Sequence, residues 1–227
     1  MELATTPDRV ALELASVARD ASVCTACALS ASRTRVVPGE GSASATLVFV
    51  GEAPGAQEDV AGVPFAGPSG RLLDNLLASI GISREEVFIL NTVKCRPPGN
   101  RNPQRGEITA CAPFLSRQLL AIRPRIIATL GRHALAVFAP DARIAEVHGR
   151  PLAQTEVRAH TNAVLFPLYH PAAALHNGRL RPTLERDMAA LREYLDARAR
   201  EVAGEATLRE VDSVPIRPQS MRRGEAE

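Results

Sequence analysis

The chain has 227 residues, enough for one domain of roughly 150–200 residues and a tail, since domain number follows length only loosely. Hydrophobic residues make up 45% and charged residues 23%, which excludes a disordered or fibrous body. No run nears the ~18 apolar residues of a membrane span, and residues 1–21 are amphipathic and acid-bearing where a signal peptide is basic and then apolar, so a soluble, unsecreted protein is expected. The formal net charge of +2 names no partner by itself.

Of the 27 basic residues only Lys94 is a lysine. Arginine's planar fork matches phosphate bidentately, which suits nucleic-acid work, but a GC-rich coding bias gives the same composition and the two readings stay open. There is no Trp, and with six Phe and two Tyr each aromatic ring is a candidate for a particular task.

In chain order, Leu3 to Ser22 carries Val10, Leu14, Val17 and Ala18 at helical spacing behind Pro7 and Asp8, which predicts a helix that delivers Cys24 and Cys27. A turn-rich passage from Val37 to Ser42 follows. Residues 46–50 are then a continuous apolar run, the pattern of a strand buried on both faces. Leu72, Leu73, Leu76, Leu77 and Ile80 predict a helix over 69–80 stopped by Gly81; 87–90 is a second strand. Residues 105–122 form a helix carrying Cys111 and ending before Pro124, and 125–130 a third strand. A short helix over 132–138, a fourth strand over 163–169 and a last helix over 180–200 complete the series. Strand and helix alternate, so a Rossmann-like, three-layer α/β/α domain with a mainly parallel four-stranded central sheet is expected. The domain is drawn at 1–202. From Ala203 the apolar periodicity fades and Pro215 and Pro218 interrupt it, so 203–227 reads as a flexible tail.

The four cysteines are Cys24, Cys27, Cys95 and Cys111. Without an export signal disulfides are disfavoured, and one C-x-x-C pair joined by two distant cysteines reads as a four-thiolate metal or cluster site. The spacing is not that of a zinc ribbon, yet thiolate softness suits zinc and iron–sulfur alike.

In an open parallel sheet ligands bind beyond the carboxyl ends of the strands. Those positions hold Glu52 to Asp59 after the first strand, Asn91 and Thr92 after the second, Gly131-Arg132-His133 after the third and His170 to Leu175 after the fourth. A carboxylate, an amide and an imidazole thus share one rim. The first loop has neither G-x-G-x-x-G nor G-K-[ST], which argues against a dinucleotide or P-loop site.

Gly51-Glu52-Ala53-Pro54-Gly55, then Glu58-Asp59, Gly62, Pro64-Phe65 and Gly67, then Asn91 with Lys94-Cys95-Arg96-Pro97-Pro98, then His170-Pro171-Ala172 together resemble the family 4 uracil-DNA glycosylases, the cluster-bearing branch of that superfamily. The resemblance runs from about Cys24 to the final helix. It implies a [4Fe–4S] cluster on Cys24, Cys27, Cys95 and Cys111, and a monofunctional DNA repair enzyme that flips uracil from DNA and hydrolyses its N-glycosidic bond. The implied partner is uracil-containing DNA, single- or double-stranded. The implied setting is a monomer, away from membranes, on the prokaryotic cytoplasmic nucleoid.

On that resemblance Phe65 stacks on the base, Asn91 faces uracil N3–H and O4 with one acceptor and one donor, and His170 donates to O2, helped by backbone N–H groups around Glu52 and Ala53. Better-known relatives carry G-Q-D-P-Y-H in the first loop, and their water-activating Asp aligns with Ala53. The base therefore falls to Glu52 first and Glu58 second, with Asp59 bracing the loop. Gly55 replaces the tyrosine that crowds thymine elsewhere. Pro171, Ala172 and Leu175 are expected to press into the DNA with Leu175 as the wedge, and Arg96, Arg101 and Arg105 to track phosphates. No lysine is placed as a lyase nucleophile. Two alternatives remain: a protein that binds uracil-containing or damaged DNA without cutting it, and an iron–sulfur oxidoreductase indifferent to Asn91.

Overall fold

A computed structural model describes residues 6–152 and 163–212, with 202–212 described by backbone alone. The elements in order are α1 Pro7–Ser22, β1 Glu40–Gly41, β2 Leu47–Gly51, α2 Ala56–Ala61, α3 Pro68–Ser79, β3 Phe88–Asn91, α4 Arg105–Ile122, β4 Ile126–Leu130, α5 Arg132–Phe138, α6 Ile144–Val147, β5 Val164–Leu168, α7 Pro171–His176 and α8 Arg181–Asp212. Single 3₁₀ turns lie at Ala28–Ala31, Arg84–Glu86, Pro98–Asn100 and Gly178–Leu180.

The strands form one sheet in the order β1-β3-β2-β4-β5. The pairs β2–β3, β2–β4 and β4–β5 are parallel, with Phe49 opposite both Ile89 and Ala128. The sheet has five strands where four were expected, because β1 adds an antiparallel edge on β3. That strand is two exposed residues, Glu40 and Gly41, and so short a piece carries no alternation for a sequence pattern to show. The short helices α2, α6 and α7 escape periodicity for the same reason.

The four longer strands are buried on both faces, which is why they read as unbroken apolar runs. Val48, Val50, Leu90, Ile127 and Leu165 share a core with Val10 of α1, Leu115 and Leu119 of α4 and Leu135 of α5. The alternate positions Phe49, Ile89 and Phe166 are equally sealed, as period-two geometry requires of a sheet between two helical layers. Arg117 of α4 ties α1 down by donating to Glu13 at 2.9 Å and Asp20 at 2.6 Å.

The chain divides into two compact units, Met1–Leu191 and Arg192–Glu227. The first holds the sheet. In the second, helix α8 continues to Asp212, beyond the Ala203 at which the tail was drawn, and carries the exposed ion pairs Arg192–Asp196 at 3.1 Å and Arg198–Glu201 at 2.6 Å. The rest of the expected tail, 213–227, lies outside the described residues, as do residues 1–5 and 153–162. No helix among the described residues is long and apolar enough to cross a membrane.

Candidate active site

The strand order reverses at β2, the place where doubly wound sheets leave a crevice at their carboxyl edge. A cleft of about 440 Å³ opens there, lined among others by Glu52, Phe65, Asn91 and His170. The four side chains come from the ends of β2 and β3, the loop before α3 and the start of α7. Glu52, Asn91 and His170 follow strands, as the strand pattern requires, while Phe65 comes from the loop between α2 and α3, and the cleft unites the four.

Asn91 closes β3 opposite Gly51 and is buried. A Cβ on Gly51 would collide with Asn91 Oδ1 and come within 2.9 Å of the Phe65 ring, so the missing side chain is what lets amide and ring meet over β2. Phe65 adopts φ 52°, the left-handed region a bulky residue rarely enters. Its backbone lies against Gly70 of α3, where any Cβ would overlap the Phe65 carbonyl.

His170 caps α7: its Nδ1 accepts the Ala172 N–H at 3.0 Å. With Nδ1 an acceptor, the neutral ring carries its proton on Nε2. Burial pushes its pKa down to about 4 against a slight pull from Glu58, so the ring is uncharged at neutral pH. It stacks on Phe65 with ring centres 5.5 Å apart.

The two carboxylates of the first loop differ. Glu58 accepts the Gly55 N–H through one oxygen and the Gly67 N–H through the other, both at 3.1 Å; it braces the loop. Asp59 is buried and accepts the Thr34 N–H at 2.9 Å. Glu52 is the one with an oxygen to spare, its buried Oε1 having no partner among the described residues. Burial raises the Glu52 carboxyl above its ordinary value, and His133 and Arg132 pull it back.

Of the expected DNA contacts, Ala172 lines the cleft, while on the same short helix Leu175 is exposed and Pro171 is buried. Arg101 forks onto Glu107 at 2.7 and 2.9 Å, and Arg96 donates to Asn100 at 2.7 Å. Both therefore shape the 97–102 loop, one wall of the cleft. That loop brings in Asn100 and Asn102, which sequence reasoning missed; His176 and Ser69 were missed as well. Pro97-Pro98-Gly99-Asn100 does signal a turn, but the direction in which a turn faces is a tertiary matter.

Behind the cleft, Cys24, Cys27, Cys95 and Cys111 line a second, apolar cavity. They arrive from the end of α1, the following 3₁₀ turn, the segment after β3 and the middle of α4. Cys95 and Cys111 pack with Leu29 and Val93, and Ala53 of the first loop packs against that group. The Arg33 guanidinium donates to Cys95 Sγ at 3.3 Å and to the Cys24 and Ser22 carbonyls at 2.8 Å each. No sequence signal marks Arg33 for this. Among the described residues no group of His, Cys, Asp or Glu converges as the ligands of one metal ion do.

A mainly parallel sheet whose carboxyl edge sets a carboxylate, an amide and a neutral imidazole around a stacked ring is an α/β fold with an enzyme-like cleft. The comparisons make the class particular. Residues 38–195 match the family model of the Uracil DNA glycosylase superfamily. A type-4 uracil-DNA glycosylase of Saccharolobus solfataricus is 44% identical over 188 residues, covering 80% of this chain and 86% of the relative. One from Sulfurisphaera tokodaii is 47% identical over 176 residues, covering 75% and 79%. A third, from Thermotoga maritima, is 44% identical over 159 residues, covering 68% and 79%. The chain belongs to the uracil-DNA glycosylase superfamily, in its type-4 branch.

Proposed function

We propose that this protein is a DNA repair glycosylase that takes uracil from DNA into the cleft and hydrolyses its N-glycosidic bond, leaving free uracil and an abasic site. The observation that carries the reading is the Asn91 amide beside the Phe65 ring over the bare backbone of Gly51. An aromatic face accepts any base, and the amide edge selects among them. Held in one orientation, Asn91 pairs with uracil N3–H and O4 and leaves its own groups unpaired against cytosine, which presents the reverse pattern.

Breaking the bond between sugar C1′ and the base nitrogen sends the electron pair into the base, where O2 takes up charge. His170 Nε2–H donates to that oxygen, and the neutral ring stabilises the anion through this hydrogen bond without transferring its proton. The positive sugar carbon meets Glu52, whose ionised carboxylate steadies it, orients the attacking water and takes the water's proton. Glu58 and Asp59 keep the loop in place. Exposed Leu175 occupies the gap the flipped nucleotide leaves, with Ala172 at the mouth. Arg96 and Arg101 hold the 97–102 wall, and Pro171 supports the wedge from below. The enzyme works as a monomer, its glycosylase domain ending near residue 202.

The sulfur-lined cavity fits a [4Fe–4S] cluster on Cys24, Cys27, Cys95 and Cys111. Four thiol sulfurs from three parts of the chain line one cavity, and thiolates are the ligands such a cluster takes. When bound, the cluster cross-links the end of α1, the segment after β3 and α4. Base hydrolysis transfers no electron, so its part is to hold these pieces.

Protein purified without oxygen and given an oligonucleotide with one uracil, single-stranded or opposite guanine, should yield free uracil and an alkali-labile site, and leave thymine and cytosine controls intact. Bound DNA with no uracil released would replace this reading with that of a damage-binding protein. In the same assay Gly51→Ala should lower kcat/KM about 10–50-fold with the fold retained by circular dichroism, because the new methyl displaces Asn91 and Phe65 together. Full activity in this variant would disprove the close fit.

The pH profile separates the two acids. Glu52 works ionised, so activity is present above its pKa and is lost as pH falls through it, a midpoint that burial raises above the ordinary glutamate value. Burial pushes the His170 pKa down to about 4, so its ring carries no charge at neutral pH. Single-turnover rates from pH 4.5 to 8 should show one acid limb in wild type, and the small residual rate of Glu52→Gln should be flat. The same limb in Glu52→Gln would assign the base elsewhere.

A further inference from the structure

Lys94 is the only lysine in the chain. It is almost completely buried, and no step of base hydrolysis uses it. Its Nζ donates to the backbone carbonyl of Asn91 at 2.9 Å. A hydrogen-bonded four-residue turn is closed by the backbone N–H of its fourth residue on the carbonyl of its first, a bond that the bend at 91–94 does not make. In 91–94 the Lys94 N–H is turned instead to Cys111 Sγ at 3.3 Å, and the Lys94 side chain takes the carbonyl that the backbone has left.

The remaining groups of the bend are tied to the other side of the cleft. Thr92 N–H donates to the Gly51 carbonyl at 2.9 Å, and the Thr92 hydroxyl and Val93 N–H donate to the Glu52 carbonyl at 2.6 and 3.3 Å. The Lys94 carbonyl accepts the Val37 N–H at 2.8 Å. Every polar group named here is fixed, and the bond from Lys94 Nζ is the one that acts on the residue bearing the selective amide.

We propose that Lys94 is a positioning residue: its ammonium closes the bend after β3 and thereby holds Asn91 in the single orientation that reads uracil, while the Lys94 N–H commits the same bend to Cys111. The inference rests on the base-reading role of Asn91 and deepens it. One bend serves both the cleft and the cysteine cavity, so a disturbance at either is felt at the amide. Lys94 touches neither base nor sugar, so its loss should act on the rate rather than on DNA binding.

The test is a double-mutant cycle on the oxygen-free holoenzyme with the single-uracil oligonucleotide, reading single-turnover kcat, KM, iron per chain and melting temperature. Lys94→Met, which keeps the stem and removes the donor, should lower kcat about 10–100-fold with KM within about 2-fold and iron content unchanged. Lys94→Arg, which keeps a cationic donor, should recover part of the rate. In an Asn91→Ala background Lys94→Met should cost less than about 2-fold more, because the residue it acts through is gone. Wild-type kcat in Lys94→Met, or the same loss with and without Asn91, overturns the proposal. If Lys94→Met does not fold or loses iron, Lys94→Leu, which likewise lacks a donor, carries the same cycle under the same criterion. A wild type that releases no uracil, or an Asn91→Ala with full rate, overturns the base-reading role itself and the Lys94 proposal with it.

Discussion

Asn91→Ala should lower kcat/KM for uracil release by about 10³-fold and shift the melting temperature little. The side chain lies at the cleft floor, and its two hydrogen bonds to the base are made as the flipped uracil seats. Two such bonds in a water-poor site, each worth ~1–3 kcal/mol, correspond to roughly 10²–10⁴ in rate. A site built to hydrogen-bond its substrate loses most when that pairing is broken. The comparison is uracil release by Asn91→Ala and wild type at equal folded concentration. Retention of even a tenth of the rate would mean that the ring and the imidazole, not the amide, select the base.

Cys111→Ser should cost the most stability. Cys111 sits mid-helix in α4 with its sulfur buried, accepts the Lys94 N–H and shares a cavity with three other thiols from separate segments. As a free thiol its pKa is driven up to about 11 by burial, and a bound metal removes that proton as it binds. Losing one of four ligands should release the cluster, seen as loss of iron, sulfide and visible absorbance. With the cross-link gone, a loss of at least ~3 kcal/mol is expected, or roughly 6–12 °C in melting temperature for a chain of this size. Wild-type protein prepared without oxygen and free of iron would refute the cluster assignment. An iron-loaded Cys111→Ser with unchanged melting would refute the part given to Cys111.

Much of the site was legible before any coordinates. Strands buried on both faces announce themselves as apolar runs, and the residues that follow them must fall on one edge of a parallel sheet. Glu52, Asn91 and His170 follow from that rule, and the motifs around them carry the family, which the comparisons bear out. Phe65 needed the resemblance, since one phenylalanine between glycines reads equally well as core. Glu52 was ranked over Glu58 from the sequence with no physical ground for the order; the hydrogen-bond partners supply one, since Glu58 accepts two backbone N–H groups while Glu52 keeps an oxygen without a partner among the described residues. Arg101 was picked for its charge, and its pairing with Glu107 depends on how the 97–102 loop folds back onto α4.

The sequence by itself determined the alternation of strand and helix, the order of residues along the sheet edge and the existence of a four-cysteine set. Each of these is a matter of period or spacing along one chain. Only the tertiary structure decided that a two-residue strand completes the sheet at its edge, that Gly51 yields its side-chain space to Asn91 and Phe65, and that Lys94 turns inward to close the bend its own N–H leaves open. These are contacts between segments far apart in the chain or reversals of a few residues, where close packing and the need to satisfy every buried polar group choose the outcome, and no local pattern encodes that choice.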